Sequence, residues 1–295
     1  MSLWSRKLRK IFQVQKFADK TDILLTRMTL REIYASRRAQ DPKRLLSHGY
    51  KVYSQTDEDG IIHEIFNRVG VANRTFVEFG VAGGLENNSL ALLIDGWSGL
   101  WIEAHGGQAA LIADRFAAPI SENRLKLVHG RVTAENIDAL ISEAGISGEI
   151  DILSIDIDGN DYHVAEAITC INPRLVVMEY NAKFRPPTSW VMAYNPDHVW
   201  DETDYFGASL SALEKLFTAK GYSLVGCNIS GANAFFVRND LVGDHFCAPF
   251  TAQNHYEPAR YWIVDGFTSG HPPHFGLLRH LNRGKRKSSD RYAAP

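Results

Sequence analysis

At 295 residues and 45% hydrophobic content, the chain can bury a full core, and its 11% aromatic and 22% charged residues are ordinary for an enzyme-sized globular protein. The formal net charge of −2 points to no partner, but residues 1–50 hold twelve Lys or Arg against four Asp or Glu, a basic arm on an acidic body. Cys170, Cys227 and Cys247 are widely spaced with no CxxC, which argues against a disulfide framework and a zinc knuckle and fits a reducing, cytoplasmic setting.

Residues 1–47 read as a basic helical extension. It is either packed on its own domain or free to meet an anionic surface, nucleic acid or the acidic body of a second subunit, so a homo-oligomer formed through it is one expectation. "MSLWSRKLRKIFQVQKF" lacks an uninterrupted apolar run and a small-residue cleavage site, and is a poor signal peptide. No membrane span is expected, because nowhere do about 18 apolar residues run together.

The domain proper is expected over 48–245. "SQTDEDGIIHEIFNRVG" has polar capping candidates followed by Ile61, Ile62, Ile65 and Phe66 at helical spacing. Next come five short apolar strands, "TFVEFG", "GLWIEA", "LKLVHG", "IDILSIDID" and "RLVVMEY", each but the last followed by a helical stretch. That alternation predicts parallel βαβ units with helices on both faces of one sheet. Residues 181–206 form a long aromatic and proline-rich insertion, read as a lid. A helix at "SLSALEKLFTAKG" follows, then a hairpin of "YSLVGCNIS" and "AFFVRND" joined by a tight turn at "GAN". Residues 246–295 are a C-terminal extension ending in a basic tail.

The first strand runs into "VEFGVAGGLENNS". Ligands of open α/β sheets sit beyond the carboxyl ends of the strands, where Gly80, Gly83 and Gly84 would let backbone pass close to a ligand. The spacing is not GxGxxG, so a dehydrogenase site is disfavoured, and a purely structural turn is the alternative. Glu103, at the tip of strand two, is placed to accept from both hydroxyls of a ribose, unless it is simply an exposed acid at a strand end.

Taken in order, strand-EFGVxGG, strand-IEA, strand-HGxV and strand-SIDIDGNDY resemble the class I S-adenosylmethionine-dependent methyltransferases, the FkbM-like group above all. The resemblance covers about residues 50–240. It implies a doubly wound, mostly parallel seven-stranded Rossmann-like sheet with an antiparallel edge hairpin, and it suggests O-methylation. It further implies Glu78 and the glycines Gly80 and Gly84 near the donor's amino acid part, Glu103 on its ribose, and Gly130 and Arg131 beside its adenine. Gln55 or Asp59, in "YSQTDEDG", would close over the donor.

Asp156 ends strand four, facing the donor methyl group, and strand five ends in Glu179 and Asn181. Adjacent parallel strands lie about 4.8 Å apart, so these tip residues can converge on one cation. Asp156, Asp158, Glu179 and Asn181 would then hold Mg²⁺ or a similar ion, as in the metal-dependent O-methyltransferases of catechol and macrocin type that this arrangement resembles. His163 or Lys183 is the candidate general base, with Asp156 at the reacting centre. The plainer readings are that Asp158 and Asp161 cap the helix near Tyr162, His163 lies on a helix surface and Lys183 is solvated. Trp190, Tyr194, Trp200, Tyr205 and Phe206 would stack on a sugar or an apolar acceptor, or build a cap core or subunit contact.

The favoured expectation is therefore a metal-assisted O-methyltransferase acting on a small-molecule hydroxyl, of a sugar or a secondary metabolite. The alternatives are a metal-independent methyltransferase with a His base and a non-catalytic nucleotide-binding or assembly module. Nucleic acid is not expected as substrate, because no [ND]PPY-type tetrapeptide follows strand four and the basic residues sit at the termini.

Overall fold

The computed structural model describes residues 20–267; residues 1–19 of the basic extension and the basic tail beyond 267 lie outside the described residues. Seven strands form one sheet: β1 (Thr75–Phe79), β2 (Ser98–Glu103), β3 (Leu125–His129), β4 (Gly148–Ile155), β5 (Ile171–Glu179), β6 (Tyr222–Cys227) and β7 (Asn233–Arg238). Their order is β3-β2-β1-β4-β5-β7-β6, with the first five parallel and β7 antiparallel to both neighbours. The doubly wound, mostly parallel sheet with an antiparallel edge pair is as expected.

The strands form where apolar residues run without interruption, because both faces of a parallel sheet are covered. One core cluster, with Leu153, Val176 and Phe236, packs against α6 (Ile137–Glu143), α7 (Asp161–Ala167) and α8 (Leu210–Ala219). The opposite cluster, with Phe76, Trp101 and Phe235, packs against α2 (Glu58–Val69), α3 (Leu90–Ile94), α4 (Gly106–Arg115) and α5 (Ala117–Ser121). β5 starts three residues earlier than "RLVVMEY" suggests, taking in Pro173. β7 pairs with β5 only from Leu175 onward, so the proline's missing N–H breaks no bond on that side. The hairpin connection is also longer than the expected tight turn: residues 228–232 intervene, and Asn233 already belongs to β7.

The helix over residues 20–35, α1, and a 3₁₀ turn over Tyr261–Phe267 close the edge of the molecule. Leu30, Ala39, Leu46, Ile229 and Ile263 form a third, smaller core there. Two short helices, α9 (Asn239–Val242) and α10 (Ala252–His255), lie between β7 and that turn. No helix among the described residues is long and apolar enough to cross a membrane.

Candidate functional site

The direction of chain progression reverses between β1 and β4, and it is at such a switch point that open α/β sheets hold ligands. Gly80 follows β1 with φ +81°, and a Cβ there would lie 1.4 Å from the Asp156 carbonyl oxygen. Only glycine lets the two strand tips approach this closely. Asp156 N also donates to Phe79 O at 3.3 Å, which fixes the start of the acidic turn against β1. Across β4 and β5, Ile155 pairs with Met178, so Asp156 stands level with Glu179.

A cavity of about 1120 Å³ sweeps along the strand ends in sheet order, past Gly130, Glu103, Gly80, Asp156 and Glu179. A second, of about 550 Å³, shares Gln55, Gly80, Ala82, Gln108 and Asp156 with it and extends to Glu58 and Glu78. Gln55 thus borders both. Asp59 sets the nearby loop: its Oδ2 accepts from Val52 N, Tyr53 N and Ser54 N at 2.7–2.8 Å and from the Ser54 hydroxyl at 2.9 Å. Gly84 lines neither cavity; it faces Phe116 and Trp101 instead, where a Cβ would meet the Phe116 ring at 2.9 Å. Glu78 is buried, accepts from Asn88 N at 2.9 Å and Ser89 N at 3.0 Å, and also takes the Ser89 hydroxyl. Burial holds its carboxyl above the usual range despite those bonds. Glu103 lines the large cavity and accepts from His105 N at 2.7 Å through Oε1.

The acidic turn brings three carboxylates together. Asp156, Asp161 and Glu179 each offer an oxygen within 4.8 Å of the other two. Burial first, then the charges of Asp161, Asp158, Glu78 and Glu58, push the Asp156 carboxyl well above its ordinary range. Glu179 is raised in the same direction by burial and then by Asp156, Asp161 and Asp158. Asp161 is raised by burial although its two oxygens accept from Ile157 N and Gly159 N, each at 2.8 Å. Among the described residues no Lys or Arg pairs with any of the three, and Glu179 Oε2 is buried with no hydrogen-bond partner. Like charges gathered without a counter-cation, around an oxygen with nothing to accept from, fit a hard divalent cation with oxygen ligands.

Asp158 does not belong to that trio. It is exposed, sits at φ +53° and lies beside His198. Asn181 is buried; its Nδ2 donates to Asp204 O at 2.9 Å and Phe206 O at 3.2 Å, and its Oδ1 accepts from Lys183 N at 3.3 Å. It therefore fastens the insertion to the tip of β5. Lys183 borders the large cavity in an ion pair with Asp204. His163 borders neither cavity, and its Nε2 lies 2.8 Å from Met192 O. Arg131 reaches over the cavity and donates to Pro196 O at 3.3 Å and His198 O at 3.1 Å.

The 181–206 insertion is tied down rather than free. Gly207 N donates to Gly159 O at 3.0 Å, Asn160 Nδ2 donates to Asn195 O at 2.6 Å, and Asn195 N returns a bond to Asn160 Oδ1 at 3.2 Å. Its aromatics divide. Trp190 stacks on Phe184 within the insertion, with centroids 4.4 Å apart, and Tyr194 packs on His163 of α7. Tyr205 meets the edge of Trp190. Trp200 and Phe206 line the large cavity.

Two site residues escaped sequence reasoning. His198 lines the large cavity and lies so close to Gly159 that a Cβ there would meet its ring at 2.4 Å; its Nε2 is buried without a partner. Tyr261 closes the cavity from the C-terminal 3₁₀ turn, and burial with the charges of Glu179, Tyr256 and Asp156 pushes its phenol up to about 12. Both come from segments without periodicity, far from the strand tips in sequence.

No protein-family model and no curated protein matches the sequence. Among solved structures the chain is similar to a protein from Staphylococcus aureus provisionally named a caffeoyl-CoA O-methyltransferase, at 16% identity and TM-score 0.42, covering 80% of this chain and 100% of that one. An O-methyltransferase from Bacillus cereus, solved with SAH, gives 15% identity and TM-score 0.41 over 73% of this chain and 89% of the other. An S-adenosylmethionine-dependent methyltransferase from Clostridium acetobutylicum gives 9% and 0.40 over 71% and 98%. All three likenesses have a TM-score below 0.5 and an identity below 25%.

Proposed function

We propose that the chain is an S-adenosylmethionine-dependent O-methyltransferase that acts on a hydroxyl of a small molecule, a sugar or a secondary metabolite, with Asp156, Glu179 and Asp161 holding a divalent cation such as Mg²⁺. The observation that carries this reading is the carboxylate trio, of which Asp156 and Glu179, at the tips of β4 and β5, line the same cavity as Glu103 and Gly130 while Asp161 backs them from the start of α7.

Bound there, the donor would present a sulfonium methyl group open to displacement, and the cation would lower the pKa of an acceptor hydroxyl. The chain's own residues orient and desolvate. Glu103 accepts from the ribose, and Gly80 keeps the passage beside Asp156 clear of a side chain. Trp200, Phe206 and Tyr261 wall the acceptor end and exclude water. The base we propose is His198, which lines this cavity and whose buried Nε2 has no hydrogen-bond partner, while His163 is turned to Met192 O.

Titration calorimetry with S-adenosylhomocysteine, first in chelator and then with Mg²⁺, tests the assignment. Saturable binding without metal, followed by a separate Mg²⁺ isotherm, is the expected result. No binding at millimolar nucleoside would instead favour an assembly module. A metal-independent methyltransferase is supported by one observation, that both Asp161 oxygens already accept backbone N–H groups. Activity that survives chelation would select it.

A further inference from the structure

α1 presents two unlike faces. Thr26 and Leu30 are buried, and a Cβ on Gly266 of the 3₁₀ turn would meet Thr26 Cγ2 at 2.4 Å, so this face is the one packed on the body. Successive residues of a helix are about 100° apart. Lys20, Leu24, Arg27, Met28 and Arg31 then share an arc of roughly 100° that points away from Thr26 and Leu30. All five are exposed, Leu24 and Met28 at 58% and 55%. The helix's two acids, Asp22 and Glu32, fall outside that arc, and among the described residues Lys20, Arg27 and Arg31 make no ion pair.

Apolar side chains side by side with cations on one outward arc are suited to the boundary between lipid headgroups and acyl chains. A second copy of the chain suits the face less well. A two-fold contact would set the face against itself and bring Lys20, Arg27 and Arg31 onto their own images. The exposed Trp262, on the 3₁₀ turn that packs against this helix, is a side chain favoured at such boundaries.

We infer that the outward face of α1 docks the protein on an anionic phospholipid bilayer, Leu24 and Met28 entering the interface while Lys20, Arg27 and Arg31 meet lipid phosphates. This is independent of the methyltransferase reading.

The test is flotation of the full chain with vesicles of phosphatidylcholine, with and without phosphatidylserine. The protein is expected to float with the mixed vesicles at low salt and to be released at high salt. With about 1 kcal/mol per cation near an anionic surface, Lys20→Gln, Arg27→Gln and Arg31→Gln together should weaken partition about a hundredfold. Leu24→Glu with Met28→Glu should abolish it, and both variants should keep the wild-type affinity for S-adenosylhomocysteine and the wild-type melting temperature. Full-chain protein that stays at the bottom with mixed vesicles would overturn the inference. So would a Leu24→Glu, Met28→Glu variant that floats like wild type, which would assign binding to other residues. Light scattering that shows a dimer lost in that same variant would overturn it in favour of self-association.

Discussion

Asp156→Asn should make the metal-free protein more stable while removing its response to Mg²⁺. In the trio, carboxylate oxygens lie within 4.8 Å of one another. Two unit charges at that distance repel by about 3.5 kcal/mol at an effective dielectric of 20. Because Asp156 is only half-buried, screening reduces the usable figure to about 2–3 kcal/mol. That corresponds to roughly 5–10 °C in a domain of this size. The sign follows from linkage. Carboxyls whose folded pKa is raised bind more protons folded than unfolded, so wild-type stability falls as pH rises from about 4 through the raised folded values. The variant's advantage should therefore be largest near pH 8 and shrink towards pH 4. Scanning calorimetry in EDTA and in excess Mg²⁺, at both pH values, reads all of this. A variant that melts below wild type in EDTA at pH 8, or gains as much from Mg²⁺ as wild type does, would refute the reasoning.

Glu103→Ala should weaken S-adenosylhomocysteine binding by about 1.5–3 kcal/mol, the worth of a charged hydrogen-bond partner, and unchanged affinity by calorimetry would remove Glu103 from the ribose. Gly80→Ala asks a Cβ to occupy the position of the Asp156 carbonyl at a left-handed φ, so donor binding and the Mg²⁺ isotherm should be lost together; a crystal structure with the β1 and β4 tips still in contact would contradict this. His198→Ala should lower kcat at least about 100-fold, within the usual range for a general base, with donor affinity intact, whereas His163→Ala should leave kcat near wild type. Equal losses from the two would argue that neither takes the proton.

The sheet was legible because its strands are buried on both faces and so read as apolar runs. The nearness of Asp156 to Glu179 was legible for a related reason: parallel strands of known spacing must end side by side. The approach of Asp161 to that pair was not. It depends on Asp158 adopting φ +53°, which turns the acidic loop back on itself so that Asp161 accepts from Ile157 N and Gly159 N. A local pattern of D-x-D-x-x-D carries no trace of that reversal. Asn181 lies just beyond the tip of β5, and the donation of its Nδ2 to carbonyls of residues 204 and 206 is a tertiary contact that alternation does not encode. His198 and Tyr261 depend on how an irregular insertion and a C-terminal turn fold back over the sheet.

Tyr180, between Glu179 and Asn181, is wholly buried, and its hydroxyl donates to Glu257 O at 2.6 Å, while Tyr256 donates in return to Ala182 O at 2.6 Å. The end of the fifth strand and the last described turns are thus cross-stitched. A protein shortened just ahead of Tyr256 would keep every strand of its sheet yet stand open on the side where Tyr261 now forms a wall. Changes confined to this final stretch would reshape that wall without altering a single residue at the strand tips.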